Sequence, residues 1–142
     1  MRIVLDTNVV ISALLWRGTP YRLLSTIRDV GDPLYASTAL LEELADVLAR
    51  PFAAQRLALI QRTAASVLAD YIEVVELVEP TDVPRIVQND PDDDHVIAAA
   101  VAARADLLVT GDRRHLLALD GHAGIAIRKP ADALELIHAQ RR

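Results

Sequence analysis

The chain is predicted to fold as one α/β domain spanning residues 1–142, a three-layer α/β/α sandwich around a central, mainly parallel sheet of about five strands. Three observations lead there. Short apolar runs alternate with longer helical patterns, and strands that alternate with helices imply right-handed crossovers and parallel pairing. The composition is 52% hydrophobic but only 4% aromatic, an aliphatic core of the kind found where helices cover both faces of a sheet. At 142 residues the chain is long enough for one substantial core and too short for two.

The strands are expected at residues 2–5, 33–36, 72–78, 107–110 and 125–128. Between the first two, 9–15 and 21–28 form a pair of short helices broken by "RGTP", where Gly18 and Pro20 punctuate. Ser37 or Thr38 caps a helix that runs to Arg50 and is stopped by Pro51. Residues 54–71 supply one or two more helices and 92–104 another; 130–140 is the last, with Pro130 suited to a first turn.

Composition excludes several chemistries. There is no cysteine, which removes disulfides, thiolate nucleophiles and cysteine-held zinc or iron–sulfur clusters; any metal must be held by oxygen or imidazole. In "MRIVLDTNVV" Asp6 interrupts the apolar run too early for a signal peptide, and the longest uncharged apolar run, 96–103, is too short to span a bilayer. A cytoplasmic protein with no membrane partner is expected. The net charge of −5 gives no broad basic footprint for nucleic acid. The positive charge is nearly all arginine, fourteen Arg against the single Lys129.

The segment "NDPDDDHVIAAA", residues 89–100, sets four acids in five positions ahead of an aliphatic helix. First-turn acids are favoured by the helix dipole, about 0.3–1 kcal/mol each, but one or two would satisfy that need. In open α/β sheets ligands bind beyond the carboxyl ends of the strands. Asp6 follows the first strand there and Asp112 the fourth, while the helix after the second strand carries Glu42 and Glu43. At about 100° per residue, Glu43 flanks the apolar stripe of Leu40, Leu44, Val47 and Leu48, whereas Glu42 falls nearly opposite. The same phase places Asp94 with Ile97, Ala98 and Val101 and turns Asp92 and Asp93 away.

Taken singly, each acid has an ordinary role: Asp6 or Asn8 as a helix cap, Asp112 as a turn residue after Gly111, Glu43 as a half-exposed helix residue, Asp94 as a first-turn acid. Together they would repel one another unless a cation is present, and hard oxygen ligands without thiols select Mg²⁺ or Mn²⁺. His95 is read as a surface residue, and Trp16, the only tryptophan, as core packing, with a homodimer or partner contact second. Arg17, Arg22, Arg113 and Arg114 are candidate phosphate contacts.

Four stretches, "IVLDTNVVISALL", "STALLEELADVLARP", "DPDDDHVIAAAVAARADLLVTGD" and "KPADALELI", in this order and over essentially the whole chain, resemble the PIN domain, a metal-dependent ribonuclease family that includes VapC-type toxins of bacterial toxin–antitoxin systems. The resemblance implies catalytic, metal-binding acids at Asp6, Glu43, Asp94 and Asp112, with Asn8, Ser12 and Thr110 supporting them. It further implies one or two Mg²⁺ or Mn²⁺ ions, RNA cut to leave a 5′-phosphate and a 3′-hydroxyl, and a protein antitoxin; a homodimer is also expected. Two rivals stand beside it. A phosphoacceptor receiver domain has similar size and also ends in a "KP", here Lys129 and Pro130, but strand one offers only Asp6. A catalytically idle PIN-like module would bind a partner without needing all four acids.

Overall fold

The computed structural model describes residues 1–81, 91–111, 114–119 and 121–140, and of residues 91–93, 114 and 115 the backbone course alone. Among them run β1 (Ile3–Leu5), α1 (Thr7–Leu15), α2 (Thr19–Val30), β2 (Leu34–Ala36), α3 (Thr38–Leu48), α4 (Pro51–Leu59), α5 (Ala64–Val74), β3 (Val75–Leu77), α6 (Pro91–Ala102), β4 (Leu107–Val109), α7 (Arg114–Leu119), β5 (Gly121–His122), β6 (Ile125–Arg128) and α8 (Pro130–Gln140). The sheet order is β3-β2-β1-β4-β6-β5, parallel throughout except for β5 against β6. Six strands stand where five are expected. The extra one, β5, is a two-residue arm of a hairpin closed by Ala123 and Gly124, both at positive φ, too short to leave a period in the sequence.

Alternation along the strands sorts the core into two layers. Ile3, Leu5, Leu107 and Val109 pack with α1, α2, α4, α5 and α8; Val4, Leu108 and Ile127 point the other way, against Val96, Ile97, Ala99 and Ala100 of α6 and Leu116 of α7. Both faces of the central strands are therefore covered, and the three-layer expectation holds. No helix among the described residues is long and apolar enough to cross a membrane.

Three boundaries differ from the sequence reading, each for a local reason. Pro51 does not merely stop a helix at Arg50: α3 ends at Leu48 and Pro51 opens α4 at its first position, where the missing N–H costs nothing. The strand expected at 72–78 shrinks to Val75–Leu77, because α5 continues through Val74. Its start is fixed by a capping box, in which the Thr63 hydroxyl accepts from the Ser66 N–H and the Ser66 hydroxyl from the Thr63 N–H. Helix α7 was not anticipated, and at six residues it spans under two turns.

The strand order also separates the two related doubly wound topologies. A receiver domain follows the order 2-1-3-4-5. Here the parallel strands, leaving out the hairpin arm β5, run 3-2-1-4 and then β6, so the receiver alternative is excluded by topology.

Candidate active site at the switch point of the sheet

Connections from β1 pass to one side of the sheet order and β4 lies on the other, so the order reverses between β1 and β4. The crevice outside the carboxyl ends of two such strands is where ligands bind in open α/β sheets. Asp6 immediately follows β1 and Thr110 immediately follows β4. Both are fully buried, at 0% exposure, and the Thr110 hydroxyl donates to Asp6 Oδ2 at 2.8 Å. The other oxygen, Oδ1, accepts from the Thr7 N–H at 2.7 Å. The Asp6 N–H donates to the Val109 carbonyl at 2.9 Å, which ties the two strand ends together.

Asp6 thus serves as N-cap of α1, and the structural role foreseen for it is real. That role uses one carboxylate oxygen. The second is addressed by a side chain 104 positions away, which helix capping does not require. Asn8 makes a second bridge: its Oδ1 accepts from the Gly111 N–H at 3.4 Å, linking the turn after β1 to the turn after β4. Ser12, one helical turn beyond Asn8, is half-buried on α1.

Helical phase is confirmed on α3, where Leu40, Leu44 and Leu48 are buried, Glu43 is intermediate and Glu42 exposed. If the resemblance extends to activity, Glu42→Gln should leave cleavage nearly intact and Glu43→Gln should abolish it; equal losses in a gel assay would show that α3 presents a different face. On α6, Asp94 is 1% exposed and Ile97 and Ala98 are buried with it, but Val101, placed on the same face by phase, is 45% exposed. The helix is buried around most of its circumference near Asp94, from Val96 to Ala100, and emerges at its end. His95, expected on the surface, is half-buried.

Asp112 and Arg113 lie outside the described residues, as do the side chains of Asp92, Asp93 and Arg114. Among the described residues no three acidic or histidine side chains gather closely enough to hold a metal ion. Asp6, Glu43 and Asp94 are nonetheless carried by elements in mutual contact, α3 touching α1 and α6, and α6 touching β1 and β2. The donor chemistry suits a divalent cation: carboxylate oxygens at Asp6, Glu43 and Asp94, and no cysteine sulfur anywhere in the chain.

Two residues escaped the sequence reading. Thr7, inside the "DTN" motif, has a buried hydroxyl with no hydrogen-bond partner among the described residues, and so does Tyr71 on α5. Both line one small gap behind Asp6, together with Leu5 and Val10. Trp16, expected in the core, is 40% exposed: as C-cap of α1 it projects from the end of the helix instead of its buried face.

The fold and the Asp6–Thr110 contact define a doubly wound α/β domain with a buried, hydrogen-bonded carboxylate at its switch point. The chain belongs to the PIN domain family, which matches residues 2–114; such domains are generally nucleases. In backbone it is similar to a chain of the crystal structure of VapBC2 from Rickettsia felis bound to a DNA fragment from their promoter, with TM-score 0.64 and 15% identity over 91% of this chain and 98% of that one. No curated protein matches the chain in sequence.

Proposed function

We propose that the protein is a Mg²⁺- or Mn²⁺-dependent endoribonuclease that hydrolyses single-stranded RNA, and that it is the toxin of a toxin–antitoxin pair. The observation that carries this reading is the buried Asp6 carboxylate at the switch point, held by Thr110 across the sheet with buried Asp94 on the neighbouring helix. Asp6, Glu43, Asp94 and Asp112 would hold the cation. When bound, it would supply the positive charge that draws in phosphate and favours ionisation of the attacking water.

The residues of the chain do the rest. Hydrogen bonds from Thr110 and the Thr7 N–H fix the rotamer of the Asp6 carboxylate. The Asn8–Gly111 contact holds the turn that leads to Asp112. Water attacks phosphorus, the bond to the 3′ oxygen breaks, and the water's proton ends on that oxygen, which leaves a 5′-phosphate and a 3′-hydroxyl. Arg113 and Arg114, which follow Asp112 in sequence, are candidate phosphate contacts. The name VapBC2 pairs two proteins, which supports a protein antitoxin here. A homodimer and a cytoplasmic location belong to the same reading. An idle binding module is disfavoured by the presence of all four acids, which partner binding alone does not need.

Cleavage of a labelled single-stranded RNA should appear with Mn²⁺ or Mg²⁺ and stop on addition of EDTA. Cleavage that persists through chelation would remove the metal mechanism. No cleavage of any RNA by a folded, metal-loaded protein would favour the idle module.

A further inference from the structure

At the far end of α1 from Asp6, a cleft of about 400 Å³ opens between α2 and the α4–α5 corner. Its size falls within the roughly 300–1,000 Å³ of small-molecule sites. The charge is opposite to that of the molecule as a whole. Arg17, Arg28, Arg56 and Arg62 line the cleft against a single carboxylate, Asp70, in a chain of net charge −5.

The arginines are arranged in distinct ways. Arg56 donates to the Leu15 carbonyl at 2.7 Å and lies 5.5 Å from the centroid of the Trp16 ring. Arg17 donates to the Tyr21 hydroxyl at 2.7 Å and lies 4.5 Å from the centroid of its ring. Arg62 is paired with Asp70 at 2.6 Å. The guanidinium of Arg28, exposed on α2, makes no hydrogen bond or ion pair among the described residues. The cleft thus offers an available guanidinium and, on its lining, the half-exposed ring of Trp16.

We infer that this cleft binds one nucleotide unit of single-stranded RNA, with phosphate on Arg28 and the base stacked against Trp16. Stacking on aromatic rings and guanidinium planes beside a basic groove is how single strands are held without sequence reading. An acidic peptide would use the arginines but would leave the half-exposed ring of Trp16 without a role. The inference rests on the nuclease reading only for the choice of RNA. On α1 the lining of the cleft begins at Ala13, seven residues and roughly 10 Å from Asp6 at 1.5 Å per residue, so the site is distinct from the Asp6–Thr110 contact.

Trp16 is the only tryptophan, and its fluorescence therefore reports the cleft directly. The full-length protein in EDTA, where cleavage is suppressed, is titrated with an octamer of adenylate, with adenosine monophosphate, and with a polyglutamate of matched charge. Saturable quenching by the octamer is expected, weakened about tenfold in Arg28→Glu, with Arg28→Ala lowering the salt slope by about 0.7. Quenching by the octamer alone assigns the site to a strand, and equal quenching by the mononucleotide assigns it to a free nucleotide. Polyglutamate quenching as strongly as the octamer, or an octamer affinity unaltered in Arg28→Glu, would overturn the inference. RNA that is hydrolysed on metal addition yet never quenches Trp16 would sink the cleft and spare the nuclease; quenching without metal-dependent cleavage would do the reverse.

Discussion

Asp94→Asn is expected to lower RNA cleavage about 10²- to 10³-fold at fixed Mn²⁺, the usual scale for removing one charge-stabilising group from a buried site. Asparagine keeps the shape of a side chain that is 1% exposed, so the variant should fold and lose charge alone. Thr110→Val tests the second tier. Valine fills the same space at 0% exposure but withdraws the hydroxyl that donates to Asp6 Oδ2 at 2.8 Å. Partners that orient a metal ligand are worth 10–100-fold in affinity or activity as an order of magnitude, so Thr110→Val should sit between wild type and Asp94→Asn. Because that loss acts through Asp6, raising Mn²⁺ should restore part of it, whereas Asp94→Asn should stay inactive. Kinetics for the three proteins over a range of Mn²⁺ separate the cases. A Thr110→Val enzyme with full activity would mean that the contact across β1 and β4 only staples the sheet.

The sequence was most legible where one helical period carried two kinds of information. On α3 the phase that buries Leu40, Leu44 and Leu48 also leaves Glu43 half-buried and Glu42 exposed, so one pattern told both the core and which acid turns inward. Asp6 was legible because a charged residue ending an apolar strand stands out at a sheet's carboxyl edge. What escaped had no period to carry it. A two-residue strand, β5, and a six-residue helix, α7, are shorter than any repeat a window could detect. Val101 followed the phase of Asp94 but lies where α6 leaves its neighbours, and phase says nothing about where a helix runs out of protein to pack on. Trp16 failed for a related reason: its bulk favours burial, but its position after the last turn of α1 puts it at a corner. The Arg-lined cleft draws on α2, α4, α5 and the corners between them, an assembly that no single segment announces.

Asp6→Asn should melt above wild type in EDTA and below it in Mn²⁺, and this inversion is the most direct test of whether these acids serve a metal. The substitution is unusually clean. The amide oxygen can still accept the Thr7 N–H, as asparagine is as good an N-cap as aspartate, and the amide nitrogen can donate to a Thr110 hydroxyl turned to accept. Only the charge goes. In the metal-free protein that charge is held at 0% exposure on an element in contact with those that carry Asp94 and Glu43, and both desolvation and like-charge repulsion oppose it. Neutralising it should raise the melting temperature. A cation that binds only the folded site stabilises by RT ln(1 + [L]/Kd), about 2.7 kcal/mol at a hundredfold excess, which for a chain of this size corresponds to roughly 5–10 °C. Wild type should gain that amount in several-millimolar Mn²⁺ and Asp6→Asn little of it. A wild type indifferent to Mn²⁺ would show that no cation site forms. A variant already less stable in EDTA would show that the hydrogen bonds of the Asp6 carboxylate outweigh its burial, and Asp6 would then be first a helix cap and a clasp between β1 and β4.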